Sequence, residues 1–183
     1  MVNISKGLRP AIFLDRDGVL IEAPVKDGVP RSVNSIQEAV FIRQVKEDLL
    51  ELSKLGFLFI MITNQPDISR NKIPLASALA LNQYICTTLG LDASYMCPHD
   101  DRDKCGFRKP LPGLINQAAK ELKVDLSSSY VVGDRWRDIG AGQATGCNCI
   151  FIDYGYDEES PFPPFDRVNS FSEAKLLIME SCK

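Results

Sequence analysis

The segment "FLDRDGVL", Phe13 to Leu20, decides how the rest of the chain is read. It closes the apolar run "PAIFLD", and it carries two carboxylates one residue apart, Asp15 and Asp17, followed by Gly18. A run of buried residue types without polar alternation suits a central parallel strand covered on both faces. Two like charges at the end of such a strand repel each other. They resist ionising together unless a cation joins them. Gly18 lets the backbone turn sharply out of the strand.

The same alternation continues outward. In "IRQVKEDLLELSKLG", Ile42, Val45, Leu49 and Leu52 recur at helical spacing, and Gly56 sits where a C-cap belongs. "FLFIMITN" reads as a second strand and "LASALALNQYICTTLG" as a second helix ending at Gly90. "ASYMC" is a third strand. "LINQAAKELK" is a helix entered through Pro112 and Gly113, and "SYVVGD" is a fourth strand. "IGAGQATG" is a short glycine-rich helix, "NCIFID" a fifth strand and "SFSEAKLLIMES" a terminal helix. "PFPPF", Pro161 to Phe165, must be a loop. The pattern predicts an α/β fold with an open, doubly wound parallel sheet, in which ligands bind at the carboxyl ends of the strands. No linker or internal repeat interrupts it, so residues 1–183 are expected to form one domain.

Polar residues punctuate the same strand ends. Asp15 and Asp17 follow the first strand, and Thr63, Asn64 and Gln65 follow the second. Arg108 and Lys109 precede a helix start, and Asp134 and Asp138 follow the fourth strand. Oxygen-only ligands beside phosphate chemistry favour Mg²⁺. Asp15, Asp134 and a nearby carbonyl are the candidates. A lysine and a threonine hydroxyl suit the other oxygens of a phosphoryl group. The expected site neutralises a phosphoryl group during transfer.

The composition is that of a globular protein: 45% hydrophobic and 25% charged residues exclude a disordered chain. A net charge of −3 leaves no footprint for nucleic acid or an anionic membrane. The start, "MVNISKGLRP", lacks the apolar core of a signal peptide, and no run is long enough to span a bilayer. A cytoplasmic monomer acting on a small molecule is expected. Without an export signal, the six cysteines are read as thiols or metal ligands rather than disulfides. Cys86, Cys147 and Cys149 read as buried thiols. Cys97, His99 and Cys105 have the C-x-H…C spacing of a structural Zn²⁺ loop.

The segments "DRDGV", "TNQ", "RKP" and "GDRWRD" fall in the order and on the elements of the haloacid dehalogenase (HAD) phosphohydrolases. The chain resembles that family from Asp15 to Asp138. The resemblance implies a HAD-like Rossmannoid fold and Mg²⁺-dependent hydrolysis of a phosphomonoester through an aspartyl-phosphate. It implies Asp15 as the nucleophile and Asp17 as the acid that protonates the leaving oxygen, then the base that activates water. Thr63 resembles the hydroxyl that holds the phosphoryl group. Lys109 resembles the cation beside nucleophile and phosphate. Asp134 and the Asp17 carbonyl look like Mg²⁺ ligands, with Asp138 behind them.

A finer likeness, carried by "FLDRDGV", "TNQ" and "CPHDDRDKCGFRKP", is to the subgroup of heptose bisphosphate and histidinol-phosphate phosphatases. It implies that Arg16, Asn64, Gln65, Arg108 and Arg135 contact substrate. The substrate expected from it is D-glycero-D-manno-heptose 1,7-bisphosphate, with histidinol phosphate or another small phosphate as the alternative. Ile21 and Pro66–Asp67 depart from the residues common in that subgroup, and both lie in loops that touch the leaving group. About 48 residues separate Asp15 from Thr63 and about 46 separate Thr63 from Lys109, and the sheet's own elements fill both gaps. The fold is therefore expected to be capless, roofed by the cysteine loop and by "IEAPVKDGVPRS".

The subgroup also places a fourth cysteine where this chain has Phe107. Either Asp100, Asp101 or Asp103 completes a zinc set, or the loop holds without metal over a packed Phe107 ring. The second is expected, because three protein ligands leave a position open. A receiver-like domain would put its acceptor aspartate after the third strand, which here runs into Cys97. A non-catalytic phosphate-binding domain would have no need of both Asp15 and Asp17.

Overall fold

The computed structural model describes residues 7–183. The first strand, β1 (Ala11–Leu14), is wholly buried and splits its side chains between two faces. Ile12 and Leu14 enter one core cluster, while Ala11 and Phe13 enter another. This is the period-2 alternation of a central strand with both faces covered. A short hairpin follows, β2 (Val25–Lys26) and β3 (Val29–Pro30), then helix α1 (Val45–Ser53). Next come β4 (Leu58–Asn64), α2 (Leu75–Leu89) and β5 (Ala93–Cys97). Helix α3 (Gly113–Leu122), β6 (Tyr130–Gly133), α4 (Trp136–Gln143) and β7 (Asn148–Ile152) continue the alternation. The chain ends in β8 (Asp166–Val168) and α5 (Phe171–Ser181).

The sheet has six strands in the order β5-β4-β1-β6-β7-β8, and every pairing is parallel. Residues of α1, α2 and α5 line the core on one face, and residues of α3 and α4 line it on the other. The chain runs outward from β1 to β5, then returns to pair β6 with the opposite edge of β1. Strand order therefore reverses between β1 and β6, and a crevice opens at their carboxyl ends.

Two features depart from the sequence reading. Asp166–Val168 forms a sixth strand, registered Ile150↔Asp166, immediately after the predicted "PFPPF" loop. With three residues at the sheet edge and only Val168 buried, it carries no readable periodicity. Helix α4 begins at Trp136, before its expected glycine-rich start. The Asp138 carboxylate accepts from the Arg135 backbone N–H (3.1 Å), satisfying an otherwise unpaired donor at that helix start.

Candidate active site

The β1–β6 pairing joins the two halves of the site. Asp15 N–H donates to the Val132 carbonyl (3.1 Å), so the residue after β1 is tied to the strand that leads to Asp134. Asp15, Asp134 and Asp138 offer carboxylate oxygens that all lie within 4.8 Å of one another, and all three residues are buried. Lys109 is 2% exposed. Its ammonium donates to Asp15 Oδ1 (2.8 Å) and the Ile62 carbonyl (2.8 Å), and it pairs with Asp138 Oδ1 at 2.6 Å. All three of its hydrogens have acceptors. Burial alone pulls Lys109 down, but Asp138 and Asp15 outweigh it and hold its pKa above the ordinary lysine value.

The carboxylates respond in the opposite sense. Burial, then the charge on Asp15, lifts Asp138 to about 6 although Lys109 opposes the shift. Asp134 is pushed well above the usual carboxylate range by burial and by the charges on Asp15 and Asp138. Both Asp134 carboxylate oxygens are buried and neither has a donor in good hydrogen-bond geometry, although the Tyr156 hydroxyl lies close enough to offset part of the cost. A buried ionised carboxylate short of donors is costly. A divalent cation bound by Asp134 and Asp15 relieves that cost, so the residues present fit Mg²⁺.

Gly18 makes room for Asp134. Its φ is +87°, and a Cβ there would meet Asp134 Oδ2 at 1.9 Å and Cγ at 2.5 Å. Gly18→Ala must displace that carboxylate. The expected loss of kcat/KM is about a hundredfold or more, on the scale of an ångström's misplacement at a reacting centre. Steady-state kinetics with a circular-dichroism check of the fold tests it. Unchanged kcat/KM would show that Asp134 does not depend on this turn.

Asp17 stands at the mouth of the site with its carboxylate held from behind. It accepts from Val33 N–H (2.9 Å), Arg16 Nε (3.1 Å) and Gln65 Nε2 (3.1 Å). Its pKa is raised by burial, which outweighs the lowering by Arg16, and the charge of Asp15 raises it further.

A small cavity of about 40 Å³ is lined by Asp15, Asp17, Thr63, Asn64, Lys109 and Asp138, with Arg135 from the turn before α4 and Arg137 from α4. The cysteine-loop half of the expected roof, Cys97 to Cys105, supplies no lining residue here and only Asp101 to the neighbouring cavity, whereas Pro30, Arg31 and Ser32 line the small cavity from the loop "IEAPVKDGVPRS". A larger cavity, about 300 Å³ by the same measure, adjoins it through Asn64, Arg135, Arg137 and that loop. Asn64 also clamps Lys109. Its Nδ2 donates to the Lys109 carbonyl (3.0 Å), and its Oδ1 accepts from the Lys109 N–H (3.1 Å). Arg108 lines the larger cavity, where its Nε donates to Asp101 (2.7 Å). Arg135 lines both cavities and donates through Nε to Glu158 (2.8 Å).

Two expected substrate contacts are not placed at the cavity. Arg16 is fully buried, and its guanidinium donates to Asp17, to Asn82 Oδ1 (3.0 Å) and to the Val33 carbonyl (2.6 Å). Gln65 is also fully buried and lies behind Thr63. Conversely, Arg31 and Arg137 line both cavities and were not singled out. Arg137 sits inside the quoted "GDRWRD" segment, so its position was the available signal. Its guanidinium lies 4.5 Å from the Trp136 ring centroid and donates to Asp101 (3.1 Å).

In the cysteine loop, Cys97 Sγ lies 3.8 Å from His99 Nδ1 and 3.9 Å from Cys105 Sγ. Those separations are close to the edge, about 3.8 Å, of a tetrahedron built on 2.3 Å zinc–sulfur bonds. The fourth corner has no donor. Asp100 is bound to Arg70 (2.7 and 3.0 Å), Asp101 to Arg108 and Arg137, and Asp103 to the Asp100 N–H (2.7 Å). A closed four-ligand zinc set does not fit the residues present. The expected Phe107 substitute is also corrected, because that ring is 47% exposed and supports nothing from beneath. Ion pairs hold the loop instead: Arg70 keeps Asp100 far below the ordinary carboxylate range. Phe107→Ala should therefore change stability by less than about 1 kcal/mol in denaturant unfolding. A loss of several kcal/mol would restore the buried-ring account.

The fold and the clustered carboxylates and lysine define a HAD-type hydrolase, and comparison with known proteins agrees. Residues 106–174 match the family model described as "HAD-hyrolase-like". The D-glycero-beta-D-manno-heptose-1,7-bisphosphate 7-phosphatase of Yersinia pestis is 36% identical over 147 residues, 74% of this chain and 75% of that protein. The protein of the same name from Escherichia coli K12 is 35% identical over 147 residues, with 74% of each chain covered. A crystal structure of D,D-heptose 1.7-bisphosphate phosphatase from B. bronchiseptica, complexed with magnesium and phosphate, superposes with a TM-score of 0.81. It is 26% identical and covers 94% of this chain and 99% of its own. The chain belongs to the HAD family, in the subgroup of these phosphatases, and it is a phosphatase.

Proposed function

We propose that this phosphatase hydrolyses D-glycero-D-manno-heptose 1,7-bisphosphate in a Mg²⁺-dependent reaction through an aspartyl-phosphate on Asp15. The observation that carries the substrate is the larger cavity beside the reaction centre. Arg31, Arg70, Lys72, Arg108, Arg135 and Arg137 line it against only Asp67 and Asp101. The excess of fixed positive charge favours a second anionic group on the substrate, beyond the phosphoryl group being cleaved. The names of the relatives point to the same substrate.

In the proposed reaction, the Asp15 carboxylate attacks phosphorus in line as the bond to the leaving oxygen breaks. Asp17, protonated, gives its proton to that oxygen, so the sugar leaves as an alcohol. The Asp17 carboxylate then takes a proton from water. The resulting hydroxide attacks phosphorus, which releases phosphate and restores Asp15. Thr63 and Lys109 hold the phosphoryl oxygens. Asn64 keeps Lys109 in place, and Arg108 and Arg135 reach the leaving group. Asp15, Asp134 and the Asp17 carbonyl would hold Mg²⁺, which would supply neutralising charge to the phosphoryl oxygens and the clustered carboxylates. Asp138 supports Lys109 and Arg135 from behind.

The same reading makes residues 1–183 one capless domain, a cytoplasmic monomer whose partner is a small phosphorylated molecule. Among the described residues no helix is long and apolar enough to cross a membrane. The test is kcat/KM for the heptose bisphosphate, the corresponding monophosphate and histidinol phosphate. The bisphosphate should lead by about tenfold or more, the scale of one charge-assisted contact. A lead for histidinol phosphate would instead favour the other branch of the subgroup.

A further inference from the structure

We infer that Gln65 is a positioning residue that aims the Thr63 hydroxyl hydrogen into the cavity, and that it does so without touching substrate. The inference rests on the reading of Thr63 as a holder of the phosphoryl group.

Gln65 is fully buried and does not line the reaction cavity. Its single amide nitrogen serves two acceptors, Thr63 Oγ1 at 2.8 Å and Asp17 Oδ2 at 3.1 Å. An amide nitrogen has two hydrogens, and both are used. Asp17 Oδ2 is already an acceptor for Arg16 Nε (3.1 Å), so a turned-over amide would set its own oxygen against an acceptor oxygen at 3.1 Å. In the observed orientation Gln65 Oε1 is buried without a partner. The protein tolerates that cost at a site where the nitrogen end has a specific task.

The consequence falls on Thr63. A hydroxyl has one hydrogen and two acceptor lone pairs. Because Thr63 Oγ1 accepts from Gln65, its own hydrogen points elsewhere. Among the described residues it donates to no protein acceptor. Thr63 is a wall of the reaction cavity, so the remaining acceptor is an oxygen held there. Gln65 thus fixes Thr63 as a donor before substrate arrives.

The side chain can be changed without disturbing its neighbours' other supports. Gln65 N–H donates to the Cys97 carbonyl (2.7 Å) through the backbone, which survives substitution. Asp17 keeps Arg16 and the Val33 N–H. Only the Thr63 hydroxyl loses its sole partner.

The test is a double-mutant cycle of Gln65→Met and Thr63→Val, read as the inhibition constant of inorganic phosphate and as kcat/KM on a small aryl phosphate. Melting temperatures report folding. Gln65→Met should weaken phosphate binding by about tenfold, and Thr63→Val by about the same. The double variant should bind phosphate within about twofold of Thr63→Val alone. Gln65→Asn, whose amide is too short to reach Thr63, should behave like Gln65→Met and guards against a folding defect in the first variant. If Thr63→Val weakens phosphate binding but Gln65→Met does not, or if the two losses multiply, the inference fails and the site reading stands. If Thr63→Val leaves phosphate binding unchanged, the reading of Thr63 fails and the inference goes with it.

Discussion

Asp15→Asn is expected to leave less than about one-thousandth of the parent turnover, the scale of losing an essential nucleophile. The amide has the shape of the carboxylate, but it cannot form the acyl-phosphate that the proposed mechanism requires. The substitution should not unfold the chain. Lys109 keeps Asp138 at 2.6 Å and the Ile62 carbonyl at 2.8 Å, and Asp15 is anchored through its backbone bond to Val132. Removing one of the crowded carboxylates also lowers their mutual repulsion. A protein with normal melting behaviour and no turnover is therefore the expected result. Near-normal turnover would end the covalent mechanism.

Chelation is expected to abolish activity, and added Mg²⁺ to restore it, because Asp15 and Asp134 repel each other in a buried site and burial raises Asp134 more than the nearby Tyr156 hydroxyl lowers it. The same geometry sets a pH dependence. Asp134 lies well above its ordinary value and Asp138 is pushed up to about 6, in both cases by burial first and neighbouring charge second. A carboxyl raised on folding contributes stability below its unfolded pKa and loses it as pH rises through the folded one. The metal-free protein should thus lose stability from about pH 4 upward, through the value near 6 and beyond. Magnesium binds the ionised form, so the melting-temperature gain it confers should be larger at about pH 8 than at about pH 5. Equal gains at both pH values, or full activity after chelation, would contradict a site shared by these carboxylates and a cation.

Most of the sheet was legible because its strands are continuous apolar runs and its helices keep a 3.6-residue period. β1, β4, β5, β6 and β7 fall where those runs predict them. β8 was not legible, since three edge residues pair through tertiary contact and leave no pattern of their own. At the site, strand ends and helix starts placed Asp15, Asp17, Thr63, Lys109 and Asp134 together, because a doubly wound sheet brings those ends to one edge. Side-chain direction was harder. Sequence order could not show that Arg16 and Gln65 turn inward toward Asp17 while Arg137 reaches the cavity. Nor could it show that the loop aspartates are already bound to arginines, or that Phe107 faces out.

The pairing of β1 with β6 has a kinetic meaning. The Ala11 N–H bonds to Ser129 Oγ at 2.9 Å, across 118 positions of chain, and the carboxylate cluster is split between Asp15, which follows β1, and Asp134 and Asp138, which follow β6. Closing so long a loop carries an entropic cost before any contact repays it, and non-local pairings of this kind slow folding. The half of the chain that contains "DRDG" and "TNQ" cannot assemble the reaction centre by itself. During refolding, catalytic activity should therefore return no earlier than the docking of β6 against β1, even if the helices around α1 and α2 regain their circular dichroism first.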